Sequence, residues 1–149
     1  MATYTLKPKD IEERWHVVDA GGKVLGRLAS DVAATLRGKK RATFTPSMAN
    51  GDFVVVVNAS KVKITGDTRE KRYWRHSQYP GGLKSVTQEQ EMARRPDRVI
   101  ERAVKGMLPH NAHGAKLLRR LKVYPGPDHP HAAQVNAGKG KPKGREATA

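Results

Sequence analysis

One glycine-rich segment of the sequence has the spacing of a phosphate-binding loop. The segment 21–28 (GGKVLGRL) follows an apolar run and precedes a helical pattern, which is where nucleotide-binding proteins hold phosphates. A P-loop continues with Lys and then Ser or Thr, but Arg27 and Leu28 occupy these positions. Nucleotide hydrolysis is therefore disfavoured, because Leu28 has no hydroxyl group to hold magnesium. Two interpretations remain: a plain tight turn before a helix, or a turn whose amides bind, together with Arg27, a backbone phosphate of nucleic acid.

The histidines form no recognisable metal site or catalytic motif. His110 and His113 are close in sequence, as are His129 and His131, but the chain has no cysteine and no third ligand follows at a suitable spacing. Loop exposure or contact with RNA explains these histidines better. No serine lies in a GxSxG-type turn, which would expose it as a nucleophile. The sequence therefore predicts no metal, no cofactor and no catalytic residue.

The balance of charge indicates a polyanionic partner. Lys and Arg number 29 against 14 Asp and Glu in 149 residues, which gives a net charge of +15 and a pI of about 10.4. So much charge of one sign repels itself unless a polyanion neutralises it. Nucleic acid is the commonest such partner, and an anionic membrane surface is the alternative.

The same composition predicts a cytoplasmic protein that does not span a membrane. No apolar run approaches the roughly 20 residues that a membrane-spanning helix needs. The first residues, MATYTLKPKDIEERWHV, lack the apolar centre of a signal peptide and carry acidic residues that transit peptides avoid. The absence of cysteine fits a reducing compartment. The length suits one domain with a real core.

The first half of the chain has the pattern of a strand, a helix and a second strand. Residues 15–20 (WHVVDA) form a short apolar run that suits a buried strand, and residues 25–36 repeat apolar side chains at helical spacing. Residues 52–59 (DFVVVVNA) contain five apolar residues in a row, which is typical of a parallel strand covered on both faces. The pattern predicts an α/β fold, and we expect the polar residues 1–14 to form an extended arm.

The middle of the chain contains weaker elements and a basic, aromatic segment. Residues 61–66 alternate polar and apolar side chains over a short length. Residues 69–76 (REKRYWRH) place two aromatic rings among cations, and we interpret them as a strand. Residues 79–82 (YPGG) form a turn. Residues 87–90 (TQEQ) have the spacing of a capping box, which predicts a helix that runs to Arg94.

Two basic helices are predicted next. Pro96 suits the first position of a helix. Apolar side chains at helical spacing over residues 99–108 give this helix one apolar face, and we expect Gly106 and Pro109 to end it. A second helix is predicted over residues 115–124 (AKLLRRLKVY). Both have a dense cationic surface with few carboxylates, which fits either solvated helix faces or binding to a polyanion. We expect one domain over residues 1–137 and a disordered basic tail over residues 138–149, because the tail has almost no large apolar groups.

Aromatic rings near the basic segment offer a second kind of contact with nucleic acid. Tyr73, Trp74 and Tyr79 could stack on bases, although one or more of the rings could instead fill the core. Strand alternation predicts that Tyr73 and Arg75 share one face and that Trp74 and His76 share the other. We therefore rest the binding prediction on the basic residues.

The predicted RNA-binding residues come from every basic segment of the chain. They are Arg27, Arg37, Lys39, Lys40, Arg41, Arg69, Lys71, Arg72, Arg75, His76, Arg94, Arg95, Arg98, Lys105, His110, Lys116, Arg119, Arg120 and Lys122. Two other classes of function remain as alternatives. One is an enzyme that holds a nucleotide at the glycine-rich turn, and the other is a membrane-surface or free regulatory protein.

Five segments together resemble the family of large-subunit ribosomal protein thirteen of bacteria. They are WHVVDAGGKVLGRLAS, GDFVVVVNA, HSQYPGG, ARRPDRVIERAVKGMLP and LKVYPGPDHPHAAQ, in the same order as in the family. The resemblance covers residues 4–135, and KGMLP is its most specific segment. Residues 139–149 extend beyond it.

The resemblance implies a fold and a set of partners. The implied fold has three layers, α/β/α, around a small, mostly parallel sheet of four strands, with basic C-terminal helices and extended termini. The implied role is a non-enzymatic part of the large ribosomal subunit that contacts large-subunit rRNA and joins assembly early. Binding to rRNA is expected to be cooperative with neighbouring ribosomal proteins. Messenger RNA, in a regulatory role, is kept as a further partner.

Overall fold

A computed structural model describes residues 5–137, which form two separate sheets and five α-helices. The strands are β1 (Trp15–Asp19), β2 (Phe53–Val57), β3 (Arg72–His76), β4 (Leu83–Thr87) and β5 (Leu121–Val123). The helices are α1 (Leu25–Arg37), α2 (Gln88–Arg94), α3 (Pro96–Met107), α4 (Ala112–Arg119) and α5 (Ala132–Ala137). The main sheet is parallel with strand order β1-β2-β5, and β3 and β4 form an antiparallel hairpin. An α/β class is therefore confirmed.

The main sheet is built around β2, as the run of valines predicts. Val54, Val55 and Val56 have no exposed surface, and β2 has a parallel neighbour on each side. Consecutive residues of a strand point to opposite faces, so burial of all three shows that both faces of β2 are covered. The predicted apolar face of α1 is buried as well. The strand–helix–strand prediction for the first half of the chain is confirmed.

Helix α1 ends in a turn that only glycine fits well. Gly38 has φ of 77°, in the left-handed region, and its amide donates to the carbonyl oxygens of Ala34 and Thr35. A Cβ atom at this position would lie 2.7 Å from the carbonyl oxygen of Asn50. The tight fit holds the basic loop after α1 against the segment that leads into β2.

The resemblance implies four strands in one sheet, but the described residues place three strands in the main sheet. Strand β4 was not predicted, because LKSVT contains only two apolar residues and little pattern. It forms because it pairs with β3 after the predicted turn, where the Gly82 amide donates to the Tyr79 carbonyl oxygen at 2.9 Å. The capping box at Thr87 and Gln90 is present, and α2 ends at Arg94 as predicted.

The helix predicted over residues 115–124 is present, but its predicted bounds are wrong. Helix α4 covers Ala112–Arg119, where the Asn111 side chain accepts from the Gly114 amide at 2.8 Å, and Arg120 caps its end. The chain then becomes β5, whose Leu121 pairs with Val54. The pattern LLRRLKVY fits a helix locally, but pairing with the buried edge of β2 satisfies the backbone and overrides it. Helix α3 begins at Pro96 as predicted, but it continues through Gly106 to Met107.

Two smaller predictions also need correction, and one short helix was not predicted. Residues 5–14 are not extended throughout, since Pro8–Asp10 form a 3-10 turn, and Leu6 of this segment is buried. Residues 61–66 contribute a single bridge between Val24 and Lys63 and no strand. Helix α5 was not predicted, and Val135 is its buried residue. The predicted tail over residues 138–149 lies outside the described residues.

None of the helices between residues 5 and 137 is long and apolar enough to cross a bilayer.

Candidate nucleic-acid interface

The backbone amides of the glycine-rich turn donate to acceptors within the protein. The Gly21 amide donates to the Asp19 carboxylate at 2.9 Å, and the Gly22 amide donates to the Lys61 carbonyl oxygen at 3.0 Å. The hydrogen bond from Gly21, followed by one from Asn58, lowers the pKa of Asp19. A phosphate at this turn would meet a carboxylate and few free donors. The structure therefore favours a plain tight turn, with Arg27 exposed in the first turn of α1.

The predicted basic residues divide by exposure. Fifteen of the nineteen are exposed, which leaves their charges available to a partner. The other four are partly buried, namely Arg37, Arg41, Arg120 and Lys122. Burial alone does not remove a charge from a binding surface, so the contacts of these four decide what they do.

Arg120 is bound within the fold. Its guanidinium donates to the carbonyl oxygen of Gly51 and, at 2.7 Å, to the carboxylate of Glu13. It also lies over the ring of Phe53, 5.2 Å from the ring centroid. Its side chain is 15% exposed. Arg120 therefore ties the end of α4 to the start of β2 and to the N-terminal segment.

Arg41 is bound in a similar way. Its guanidinium pairs with the Asp52 carboxylate and donates to the side-chain oxygen of Asn50 at 3.1 Å. Asp52 also accepts from the backbone amide of Arg14 at 3.2 Å and contacts the His16 ring at 2.9 Å. A small cleft of about 380 Å³ at the free edge of β1 is lined by Arg14, His16, Arg41 and Asp52, and Lys40 adds an exposed cation there. Sequence reasoning missed Asp52 and Glu13, because their partners are distant along the chain.

A larger cleft gathers four predicted residues from separate elements. It has a volume of about 670 Å³ and lies between α3, the loop after it, α4 and β5. Its basic lining residues are Lys105, His110, Arg119 and Lys122. Leu108, Leu118 and Leu121 supply apolar lining. A Cβ atom at Gly114 would overlap the carbonyl oxygen of Pro109, so the close approach that shapes this cleft requires glycine there.

One carboxylate lies among these cations. Burial raises the pKa of Glu101, the neighbouring charge of Asp97 raises it further, and Arg98 and Lys122 oppose both effects. The Lys and Arg side chains of the cleft outnumber this one acidic group, which makes the cleft a favourable site for an anion.

The β3–β4 hairpin holds the next group. Residues that face each other across an antiparallel pair share a face, so Trp74 and Ser85 lie on one side and Tyr73 and Val86 on the other. Arg102 of α3 lies over the Tyr73 ring at 4.6 Å and pairs with Glu91 at 3.4 Å. Burial raises the pKa of Tyr73. The predicted alternation is confirmed: Tyr73 faces the body, whereas Trp74 is 61% exposed.

Lys84 of β4 belongs to this group although sequence reasoning missed it. It is exposed and lies directly opposite Arg75. Its strand was not recognised, and the signal that could have identified it is the YPGG turn directly after a predicted strand, which is where a hairpin returns.

The remaining predicted residues lie at other exposed positions. Arg94 and Arg95 lie where α2 meets α3, Arg98 lies in the first turn of α3, and Lys116 lies on α4. Arg69 pairs with Glu89 at 3.4 Å, an exposed contact that contributes little stability.

Within residues 5–137, no group of three or more His, Cys, Asp or Glu side chains is placed to hold a metal ion. The arrangement is suited to binding an extended anion over several surfaces.

Comparison with known proteins identifies the family. Residues 13–130 match the model of the family "Ribosomal protein L13". A large ribosomal subunit protein uL13 of Symbiobacterium thermophilum is 60% identical over 133 residues, which cover 89% of this chain and 93% of that protein. Those of Salinispora arenicola and Thermus thermophilus are each 56% identical over 135 residues, covering 90% of this chain and 92% and 95% of those proteins. The chain therefore belongs to the ribosomal protein L13 family.

Proposed function

We propose that this protein is a structural, non-enzymatic constituent of the large ribosomal subunit, where it binds rRNA. It works in translation as part of a cytoplasmic ribonucleoprotein. The observation that carries this proposal is 60% identity over 133 residues to a large ribosomal subunit protein. The fifteen exposed basic residues support it, since phosphate contacts supply most of the sequence-independent affinity for nucleic acid.

The proposed contacts with rRNA lie on three surfaces. The first is the large cleft with Lys105, His110, Arg119 and Lys122, and the second is the hairpin with Arg72, Arg75 and His76. The third is the exposed junction of α2 and α3. The remaining exposed cations of the predicted set extend these surfaces. Arg41 and Arg120 act differently in this proposal: they hold the loops on which exposed cations stand.

The further partners of the protein follow from its family. Membership of the ribosomal protein L13 family implies neighbouring ribosomal proteins as partners and early entry into assembly. Phosphate contacts carry no sequence information by themselves. The same cations would therefore also serve a messenger RNA in a regulatory role.

The fold proposed for this role is a single domain over residues 1–137 with three layers. Two observations support the layers: α1 packs with α3, and α5 packs at β1. The complete burial of Val54, Val55 and Val56 supports cover on both faces of the main sheet.

Sedimentation of the native protein from a lysate tests the proposed function. The protein should travel with the large subunit and should shift to slowly sedimenting fractions after ribonuclease treatment. Purified large subunits without this protein would refute the proposal. Binding to anionic vesicles in preference to RNA at physiological salt would favour a membrane-surface role. ATP or GTP turnover that disappears in Arg27→Ala would favour an enzyme.

A further inference from the structure

The outward face of the β3–β4 hairpin exposes apolar surface next to basic groups. Trp74 is 61% exposed and Leu83 is 59% exposed, and Leu83 lies directly opposite His76. We call Trp74, His76 and Leu83 the hairpin platform. Since neighbouring side chains on one strand face alternate by two residues, the three groups adjoin on a single surface. Exposed apolar surface of this kind on a soluble protein marks a binding site when a partner of matching chemistry exists.

The charges around the platform specify an anionic occupant. Glu70 is the single carboxylate between residues 69 and 87, against five Lys and Arg side chains. Arg75 and Lys84 face each other directly on the other side of the hairpin. On the platform face itself, Arg72 alternates with Trp74 and His76, so an apolar surface of a neighbouring protein would bury the tryptophan but would leave Arg72 without a counter-charge.

The turn of the hairpin holds the platform in a defined shape. The Ser77 amide donates to the Gly82 carbonyl oxygen at 3.1 Å. The Gln78 amide donates to Nδ1 of His76 at 3.0 Å. A neutral His76 ring therefore carries its proton on Nε2, which is left as a donor toward a ligand. A donor beside an exposed indole ring is suited to the edge of a base or to a phosphate oxygen.

We propose that the hairpin platform binds an unpaired nucleotide of RNA. The base stacks on the Trp74 ring beside Leu83, and the adjoining phosphates contact Arg72 and its neighbouring cations. Duplex RNA does not offer this contact, because its bases are already stacked on each other. Tyr73 takes no part, since its ring lies under Arg102. This inference rests on the proposed function and deepens it, because it names single-stranded nucleotides as the ligand of one surface.

Fluorescence of Trp74 tests the contact directly. The protein has two tryptophans, so Trp15→Phe leaves Trp74 as the single tryptophan reporter. We expect a single-stranded RNA of about eight nucleotides to quench this fluorescence, and the duplex that it forms with its complement to quench it much less. Equal quenching by the single strand and the duplex, or no quenching by either of them, would contradict the proposal. If Trp15→Phe lowers the melting temperature, because Trp15 stacks on Phe53, the affinity measurement below decides alone.

Affinity measurements use substitutions in the otherwise unchanged full chain. Trp74→Ala should weaken binding of the same single strand by about tenfold, since each stacked base contributes that order of affinity. Trp74→Phe should retain most of the affinity, because the ring is kept. Met107→Ala is the matched control: Met107 is an exposed apolar residue outside the hairpin, and its removal should leave binding unchanged.

The outcomes separate this inference from the proposed function. Undiminished affinity of Trp74→Ala for the single strand, with normal incorporation into the large subunit, would overturn the platform and leave the ribosomal role intact. Absence of the unmodified protein from purified large subunits would overturn the ribosomal role first. Normal RNA affinity combined with the loss of a neighbouring protein from Trp74→Ala subunits would show that the platform is a protein-binding surface, and the proposal would be wrong.

Discussion

The body around β2 and the β3–β4 hairpin use similar residue types in opposite ways. In the body, valines are fully buried and the cations Arg41 and Arg120 are paired with carboxylates. In the hairpin, Trp74 and Leu83 are exposed and its cations outnumber its carboxylates. The interior of the body therefore pairs these two charges and buries its valines, whereas the hairpin leaves an aromatic ring, a leucine and most of its cations for a partner.

This comparison shows that a basic residue in the sequence has no fixed meaning. Arg119 and Arg120 are adjacent, yet Arg119 is exposed at the large cleft and Arg120 is 15% exposed in an internal network. The difference arises where α4 ends and β5 begins, because the change from helix to strand turns adjacent side chains in different directions. Substitutions in the body should change stability, and substitutions in the hairpin and the cleft should change binding.

The largest expected effect is on the central strand. Val56→Asp places an unpaired charge where no side-chain surface is exposed, and should lower the free energy of unfolding by about 4 kcal/mol or more. Thermal or urea unfolding measures it. Val17→Asp on the adjacent strand is the control, since Val17 is 42% exposed, and it should cost far less. A Val56→Asp variant that melts like the unmodified protein would refute the central position of β2.

The adjacent arginines of α4 provide the second test. Arg120→Ala should lower the free energy of unfolding by about 1–3 kcal/mol, because the Gly51 carbonyl oxygen and Glu13 lose their donor. Arg119→Ala should change stability by less than about 0.5 kcal/mol. It should instead weaken RNA binding and lower the slope of affinity against salt by about 1. Equal effects of the two substitutions on stability would remove the distinction between them.

The third test concerns how binding is divided along the chain. Arg72→Ala combined with Arg75→Ala should lower the salt slope of rRNA binding by about 1–2 and leave the melting temperature unchanged. Deletion of residues 138–149 removes four Lys and Arg residues and should have a smaller effect, because ordered cations lose less entropy on binding than those of a segment whose composition predicts disorder. A greater loss from the deletion would show that the ordered surfaces are solvated faces.

The smallest expected effect is the pH dependence of the cleft. Because burial raises the pKa of Glu101 in the folded protein, the folded state binds the proton more tightly than the unfolded state. This stabilisation is present at low pH. It is lost as pH rises from the pKa of Glu101 in the unfolded chain through its raised pKa in the folded protein. Glu101→Gln should therefore slightly stabilise the protein at neutral pH, and the difference should vanish in acid. Melting temperatures against pH measure this, and a destabilised variant at neutral pH would contradict it.

The same substitution has a second expected result on binding. Removal of the carboxylate from the large cleft should strengthen RNA binding at low salt, since Lys122 then has no internal opposite charge beside it. Glu89→Gln is a suitable comparison, because Glu89 is exposed and lies outside this cleft.

The sequence by itself determined the elements with strong local signals. The valine run of β2, the apolar face of α1, Pro96 at the start of α3 and the capping box at Thr87 all lie where they were predicted. Each depends on side-chain period or on backbone geometry within a few residues, so no distant contact is needed to establish it. The excess of cations, which pointed to nucleic acid, is likewise a property of composition.

Only the tertiary structure decided the features that depend on residues far apart along the chain. Strands β4 and β5 exist through pairing with β3 and β2, so a polar pentapeptide and the end of a helix-like pattern became strands. The separation of Arg120 from Arg119 depends on Glu13, which lies 107 residues away along the chain. The four basic residues of the large cleft come from α3, the following loop, α4 and β5. Burial and ion pairing depend on the contacts that folding creates, and residue type alone does not encode them.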